Sequence, residues 1–153
     1  MSKKATVADA QLICQLYDLR REPEMRKARN WWVQFDPQNA DDFLKVAWAL
    51  GTQENAWLRQ VGGYWGMVAS FVNSGALNEQ LFLAPGFSGE LFLIYSKIHP
   101  FMKDLRQKLN DPFAFKEVET AVIRTKWGRD RLQFMMQRVA KMRQRFEEMK
   151  KSQ

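Results

Sequence analysis

Residues 52–74 read TQENAWLRQVGGYWGMVASFVNS, a stretch whose centre would be apolar on nearly all sides of a helix. Thr52 is a favourable N-cap and Gly75 a favourable C-cap, so we expect one helix between them. Beside its large apolar residues runs a second stripe of small ones: Gly62, Gly66, Ala69 and Asn73. Glycine inside a helix costs about 1 kcal/mol relative to alanine, and close approach of another helix would explain that cost. We therefore interpret this stretch as the central helix of a bundle.

Three shorter helices are predicted before the central one. Thr6 is a plausible N-cap for a helix that continues to about Arg20. Proline at the first helical position favours a second helix that starts at Pro23. Asp41 opens a third helix, which Gly51 ends.

A short helical turn and a long helix are predicted after the central helix. Asn78 is a good cap for the turn, and Ser88 is expected to cap a helix over residues 89–109. Pro100 should kink this helix near Lys97, because its ring removes one hydrogen bond and crowds the preceding turn.

One more helix is predicted before the C-terminal one. Asp111 followed by Pro112 is an N-cap and a first-position proline, which indicates a helix that reaches about Lys126. No run of alternating residues typical of a strand is present. We therefore predict an all-α protein: an irregular helical bundle around a central Gly- and aromatic-rich helix, with a long amphipathic C-terminal helix.

The most regular pattern lies in residues 128–153, a predicted basic C-terminal helix that packs on the body or extends from it. Its apolar residues recur at heptad spacing and predict an interaction seam: Leu132, Met135, Val139, Met142, Phe146 and Met149. A predicted basic face flanks this seam: Arg131, Arg138 and Arg145. These cations would repel one another in a parallel self-dimer. The open alternatives are packing on the chain's own core, contact with an antiparallel copy or a partner helix, and binding of nucleic acid or lipid.

Composition places the chain among globular proteins. Its 153 residues suit one helical domain, residues 1–153, in which residues 1–5 are expected to be flexible. Hydrophobic residues make up 46% and charged residues 27%, which excludes the disordered class. No apolar run reaches the roughly 18 residues of a transmembrane segment, and no export signal is evident. With a single cysteine, Cys14, we expect a soluble, cytoplasmic protein.

The net charge of +7 is concentrated at the C-terminus, because residues 122–153 carry 10 basic and 3 acidic residues. Such a segment suits an acidic protein partner, nucleic acid or an anionic membrane surface. A second basic segment has aromatic neighbours suited to nucleic acid: Arg20, Arg21, Arg26, Lys27, Arg29, Trp31 and Trp32. Acidic residues within this segment dilute its charge, so we expect weak nucleic-acid binding at most.

The sequence offers little catalytic chemistry. His99 is the only histidine, and no partner for general acid–base catalysis is identifiable. Cys14 lies between apolar residues of the first helix, where we expect a buried structural thiol. We therefore predict no catalytic residue, no metal site and no cofactor.

The alternative to an interaction surface is a pocket among the central helices, in a small-molecule binding protein or an enzyme. Its lining would combine aromatic and polar side chains: Trp57, Tyr64, Trp65, Asn73, Glu90, Tyr95 and His99. A cavity that joins these residues would favour this alternative, whereas a solid aromatic core would disfavour it.

Five stretches carry a resemblance to a known family. They read QLYDLRREPEMRKAR (15–29), YWGMV (64–68), NSGAL (73–77), IYSKIHP (94–100) and DPFAF (111–115). Over about residues 12–122 the chain resembles an uncharacterised bacterial all-helical family known only as a domain of unknown function. The resemblance implies a helical fold and adds no catalytic residue. Some similar proteins carry an N-terminal membrane span, and none is predicted here.

The surplus of aromatic and methionine residues in a small domain favours a non-enzymatic helical interaction module. We expect this module to self-associate or to bind a helix of another protein, with an acidic helix suited to the basic face.

Overall fold

The computed structural model describes residues 3–153, and no strand occurs in this part of the chain. The predicted all-α class is therefore confirmed. In chain order the elements are α1 (Val7–Leu19), α2 (Pro23–Gln34), α3 (Ala40–Ala47), α4 (Gln53–Asn73), α5 (Glu79–Phe82), α6 (Pro85–Ile98), a 3-10 turn (His99–Phe101), α7 (Met102–Leu109), α8 (Lys116–Ile123) and α9 (Lys126–Lys151). Of the segment predicted to be flexible, Met1 and Ser2 lie outside the described residues, and the Lys3 carbonyl accepts a hydrogen bond from Asn78 Nδ2.

Several helices begin after a residue whose side-chain oxygen accepts a hydrogen bond from a backbone amide of the first helical turn. Thr6 and Asp9 form a capping box at α1, in which the Thr6 amide donates to Asp9 Oδ2 at 2.8 Å. Asn39 caps α3 and Thr52 caps α4, each by accepting a hydrogen bond from the amide three residues later. Between these two helices Gly51 has a φ of +89°, a conformation that glycine adopts at little cost.

The central position predicted for residues 52–74 is confirmed, because α4 packs against α2, α3, α5 and α8. One cluster of buried residues extends from Leu16 in α1 to Met135 in α9. Its largest fully buried side chains include Trp32, Trp65 and Tyr95. Burial of a large apolar side chain stabilises the fold by roughly 2 to 3 kcal/mol, so these aromatic residues hold the bundle around α4.

The small-residue stripe of α4 faces α8, as Asn73 and Glu117 show, but this contact does not require the two glycines of the stripe. A Cβ atom added at Gly62 would lie 3.8 Å from the Phe115 ring, and one added at Gly66 would meet nothing within 4 Å. Packing requires glycine at a different place, Gly128 in α9, where a Cβ atom would clash with the Val122 carbonyl oxygen. The α8–α9 junction is therefore the tightest backbone contact made by a glycine.

The boundaries of α6 differ from the prediction. Its first residue is Pro85, where the absent amide costs nothing, and Ala84 precedes it without a side-chain cap. Ser88, the predicted cap, is fully buried inside the helix and donates to the Ala84 carbonyl at 3.2 Å. Around Pro100 the expected kink is a complete break, because the 3-10 turn His99–Phe101 separates α6 from α7.

The helix predicted to begin at Asp111 is wrong at its start. Asp111 Oδ1 accepts a hydrogen bond from the Phe113 amide at 2.9 Å and closes a tight turn. Phe115 then has a φ of +55°, and α8 begins only at Lys116. An Asp–Pro pair can open a turn as well as a helix, so the local sequence did not fix this boundary.

The long C-terminal helix is confirmed as α9, which has 26 residues and is capped by Thr125. Its first part packs on α6 and α8. Within residues 3–153, none of the helices combines the length and the apolar character that a membrane span requires.

Candidate functional site

The predicted seam on α9 changes from buried to exposed along the helix. Leu132, Met135 and Val139 are 4%, 9% and 4% exposed, respectively. Phe146 and Met149 are 57% and 60% exposed. The first half of the seam is therefore part of the core, and its second half presents apolar side chains to solvent.

Two exposed aromatic side chains that were not predicted from the sequence, Trp127 and Phe134, lie beside the seam. Phe134 is 60% exposed and follows the half-exposed Trp127 by seven residues. Arg138, Arg145 and Met149 lie on the same side of α9, because steps of four and seven residues return to one face of a helix. Apolar and basic side chains therefore alternate along this side.

We call this surface the α9 face. It consists of Trp127, Phe134, Arg138, Met142, Arg145, Phe146 and Met149. Between α6 and α9 the face forms one wall of a groove of about 720 Å³, with Leu93 on the other wall. A groove of about 330 Å³ continues from Met142 past Val33 to Phe146. The two grooves share Met142 and follow one another along α9, and both also contain charged side chains, among them Asp130 in the first and Glu147 in the second.

Exposed cations lie on the same side of α9 as Trp127 and Phe134, and one of them, Arg138, lines the first groove. Arg138, Lys141 and Arg145 have no carboxylate oxygen within 4 Å among residues 3–153. Arg143 differs, because its guanidinium binds both carboxylate oxygens of Asp36 at 2.6 to 2.9 Å. Arg143 thus ties α9 to the residues after α2, while the other three cations face solvent.

Arg131 does not belong to a free basic face, contrary to the expectation from the sequence. Its guanidinium donates to the Leu83 carbonyl at 3.0 Å and to Ser88 Oγ at 2.8 Å. The same group lies 4.6 Å from the centre of the Phe92 ring and 5.1 Å from that of Trp127. Burial lowers the pKa of Arg131. The residue therefore fastens the start of α9 to α6.

A buried lysine lies beneath the smaller groove. Lys97 is 3% exposed, and its ammonium donates to the carbonyl oxygens of Trp32, Val33 and Phe35 at 2.8 to 2.9 Å. These carbonyls belong to the end of α2, so Lys97 satisfies acceptors that the helix itself leaves free. Burial lowers the pKa of Lys97 to about 8, an effect that the nearby Asp36 opposes.

Three of the seven predicted pocket residues meet in the core. Glu90 accepts hydrogen bonds from Trp65 Nε1 at 3.0 Å and from Arg29 Nε at 2.6 Å. Arg20 lies 3.7 Å from the same carboxylate, and Tyr64 packs edge-on against Trp65 with ring centres 5.0 Å apart. This polar cluster joins α1, α2, α4 and α6 in place of a cavity.

Tyr95 and His99 form a separate cluster with Glu119. Tyr95 OH donates to Glu119 Oε2 at 2.8 Å, and Arg106 Nη1 donates to the same oxygen at 3.0 Å. His99 Nδ1 lies 3.3 Å from Tyr95 OH. Burial raises the pKa of Tyr95. Despite partial burial, hydrogen bonds from Lys116, Tyr95 and Arg106 hold the pKa of Glu119 below its usual range.

The last two predicted pocket residues, Trp57 and Asn73, lie apart from both clusters. The Trp57 ring contacts the Trp31 ring with centres 6.4 Å apart, and Asn73 Nδ2 donates to Glu117 Oε2 at 2.6 Å. The seven residues therefore do not line one cavity. Their clusters sit on different faces of the helices, and Trp65 is only 1% exposed.

The N-terminal basic segment is largely engaged within the fold. Arg20 and Trp32 are buried, and Arg29 binds Glu90. Lys27 pairs with Glu24 at 2.7 Å. The ring of Trp32 is thus not available to stack on a base, and nucleic-acid binding by this segment stays a prediction without structural support.

Cys14 is exposed, so the expectation of a buried thiol was wrong. Leu16 is the buried residue of this turn, and a residue two positions away on a helix points nearly to the opposite side. In the described part of the chain no group of three or more His, Cys, Asp or Glu side chains is arranged to hold a metal ion.

These features define the class: an all-helical domain that carries a long, partly exposed amphipathic helix at its C-terminal end. The chain belongs to the family DUF4760, a domain of unknown function, whose family model matches residues 5–127. The resemblance to an all-helical family of unknown function is thereby confirmed. Comparison with curated proteins and with solved structures gives no match. The family match ends at residue 127, so most of the α9 face lies beyond it.

Proposed function

We propose that this chain is a non-enzymatic helical interaction module whose α9 face binds an acidic amphipathic helix of another protein. The observation that carries the proposal is the exposure of Phe134, Phe146 and Met149 beside cations that have no acidic partner in the described chain. Contiguous exposed apolar side chains are uncommon on monomeric proteins and mark contact surfaces.

The shape of the surface suits helix-in-groove recognition. A partner helix inserts apolar side chains at steps of three, four and seven residues. Between Trp127 and Met149 the α9 face extends over about 33 Å at 1.5 Å per residue, which is room for about six turns of a partner helix. Leu93 and Val33 supply the apolar floor opposite α9.

Charge favours an acidic partner over a second copy of the chain. Residues 122–153 carry 10 basic and 3 acidic residues. In an antiparallel pair of α9 helices centred on Met142, Arg138, Lys141 and Arg145 of one copy would approach the same cations of the other. An acidic helix would instead place carboxylates beside these cations. Opposite charges at an interface favour the correct partner and speed association. We infer a cytoplasmic location for the module from its single, unbridged cysteine.

The test uses two synthetic amphipathic peptides of about 21 residues, enough for six helical turns. Both have leucine at the same positions, and they differ in carrying either glutamate or lysine beside the leucines. Binding is measured by fluorescence anisotropy of the labelled peptide. We expect the glutamate peptide to bind and the lysine peptide not to bind. The variant Phe134→Ser/Phe146→Ser should abolish binding of the glutamate peptide.

A matched pair of variants distinguishes the effect of charge on the α9 face from the effect of the net charge of the chain. Arg138→Gln/Arg145→Gln lowers the net charge by two on the α9 face and should weaken binding about tenfold. Gln133→Glu/Ala140→Glu lowers it by the same amount at exposed positions of α9 away from the face, and should leave binding unchanged. Equal effects of the two variants, or self-association with no binding of the glutamate peptide, would contradict the proposal.

A further inference from the structure

A second groove, remote from the α9 face, lies at the break between α6 and α7. Its volume is about 640 Å³, and its walls come from the 3-10 turn, α7, the following turn and α8. Five polar side chains that can bind an anion or its proton line the groove: His99, Lys103, Arg106, Gln107 and Asn110. The break at Pro100 thus brings the only histidine beside the cations of α7.

Hydrogen bonding orients His99 in this groove. Glu119 is a carboxylate and can only accept, so Tyr95 donates its one proton to it at 2.8 Å. The Tyr95 oxygen can then only accept from His99 Nδ1, which lies 3.3 Å away. In the neutral ring Nδ1 therefore carries the proton, and Nε2 keeps a lone pair.

Two cations of the groove have donors without a protein acceptor. Lys103 is exposed and has no carboxylate oxygen within 4 Å among residues 3–153. Arg106 donates through Nε to the Ala114 carbonyl and through Nη1 to Glu119, but its buried Nη2 has no acceptor. A buried donor left without an acceptor costs about 1 to 3 kcal/mol.

Two carboxylates also line the groove, Asp111 and Glu119, and Glu119 forms an ion pair with Arg106. Glu119 already accepts hydrogen bonds from Tyr95, Arg106 and Lys116. Asp111 Oδ1 accepts from a backbone amide in the turn before α8. Lys103 is therefore the cation of this groove without a carboxylate oxygen within 4 Å among residues 3–153, and it lies beside one imidazole nitrogen that can accept a proton.

We propose that this groove binds a small molecule through a phosphate group. The exposed ammonium of Lys103 donates to the phosphate oxygens in a short hydrogen bond assisted by charge, and Arg106 becomes a second donor when its side chain shifts to expose Nη2. His99 Nε2 accepts a hydrogen bond from a protonated phosphate oxygen. A carboxylate or a sulfate at neutral pH has no proton to offer, so the orientation of His99 favours phosphate. The site shares no residue with the α9 face and stands independently of the proposed interaction function.

The test uses the full chain and inorganic phosphate. Because the chain has one histidine, the Hε1 proton of His99 gives a single NMR signal that reports directly on the groove. In about 0.15 M sodium chloride, which screens non-specific attraction, phosphate should move this signal to a plateau at fixed neutral pH. Sulfate should need at least about a tenfold higher concentration, the equivalent of one lost hydrogen bond to a charged group.

Variants test whether the phosphate-induced shift of the His99 signal arises from binding in the groove. Lys103→Met should raise the phosphate midpoint about tenfold, whereas Lys27→Met, which removes an exposed lysine of α2, should leave it unchanged. Tyr95→Phe removes the hydroxyl that orients His99 and should reduce the preference for phosphate over sulfate, with circular dichroism as the check of folding. A response without a plateau, an equal response to sulfate, or an unchanged midpoint in Lys103→Met would overturn the proposal.

Discussion

Two arginines on one side of α9 have different environments. Arg131 and Arg138 are one heptad apart and lie on the same side of the helix. Arg131 is held by the Leu83 carbonyl and Ser88, whereas Arg138 is exposed. Heptad spacing says which side of a helix a residue occupies, but not how far the neighbouring helix continues beneath it.

Val139 provides a residue-scale test of that side assignment. Val139→Asp should lower the free energy of unfolding by about 3 kcal/mol or more, because the side chain is buried and the new carboxylate would have no partner. This corresponds to a melting temperature roughly 10 °C lower. Arg145→Glu at an exposed position is the control and should change stability by no more than about 0.5 kcal/mol. A thermal melt that reversed this order would mean that the buried side of α9 is assigned backwards.

The buried ammonium of Lys97 should give the stability a dependence on pH. An unfolded lysine keeps its proton to about pH 10.4, whereas burial lowers the pKa of Lys97 to about 8. The cost of burying the charge is therefore present in full below pH 8 and is relieved as the pH rises towards 10.4. Relative to Lys97→Met, the parent chain should gain up to about 3 kcal/mol of stability across this window.

Urea unfolding of both chains between pH 7 and pH 10 measures this difference, and groups that titrate in both chains cancel. A difference that stays flat would show that the three carbonyl oxygens at the end of α2 hold the ammonium as strongly as burial disfavours it.

At the scale of helices, boundaries set by local caps were predictable and those set by packing were not. Thr6 and Thr52 each cap the helix that the sequence assigned to them. α6 starts at Pro85 and α8 at Lys116, although other residues nearby are also good helix starts. Packing in the core determines which of these starts is used. Phe134 was predictable, because it follows Trp127 by seven residues, but the methionine repeat of the neighbouring seam is longer and more regular.

The terminal part of α9 should open more readily than its beginning. Arg143 binds Asp36 through two nitrogens, and beyond Val139 most side chains are exposed. Asp36→Asn should speed hydrogen exchange of the amides in residues 142–151 about two- to fivefold, as expected for loss of a partly exposed ion pair. Mass spectrometry of peptic fragments can follow this change.

The control for this exchange experiment is Lys150→Gln. Its ammonium lies 4.0 Å from Glu147, so removing this loose pair should have little effect. If Asp36→Asn accelerated exchange equally in residues 126–139 and 142–151, the ion pair would stabilise the whole helix and not its terminal part.

At the scale of the whole molecule, the α9 face and the groove between α6 and α7 lie in different parts of the chain. The phosphate groove lies within residues 5–127, which the family model covers, whereas most of the α9 face lies after them. The sequence placed Tyr95 and His99 in one pocket with Trp65, because all three belong to the central helices. Glu90 and Tyr95 are five residues apart on α6 and point about 140° apart, so Glu90 contacts Trp65 on one side and Tyr95 contacts Glu119 of α8 on the other. Helical periodicity contains this angle, but it does not say which helix lies on each side.

The exposed thiol on α1 makes the purified chain sensitive to oxidation by air. Cys14 is the single cysteine, so oxidation can join two copies by an intermolecular disulfide but cannot form one within a copy. The product would be a covalent dimer linked through α1, with both α9 faces left uncovered. Such a dimer would be bivalent, and its avidity for a surface that displays several partner helices would exceed the affinity of one copy. Binding data on this chain therefore depend on keeping Cys14 reduced.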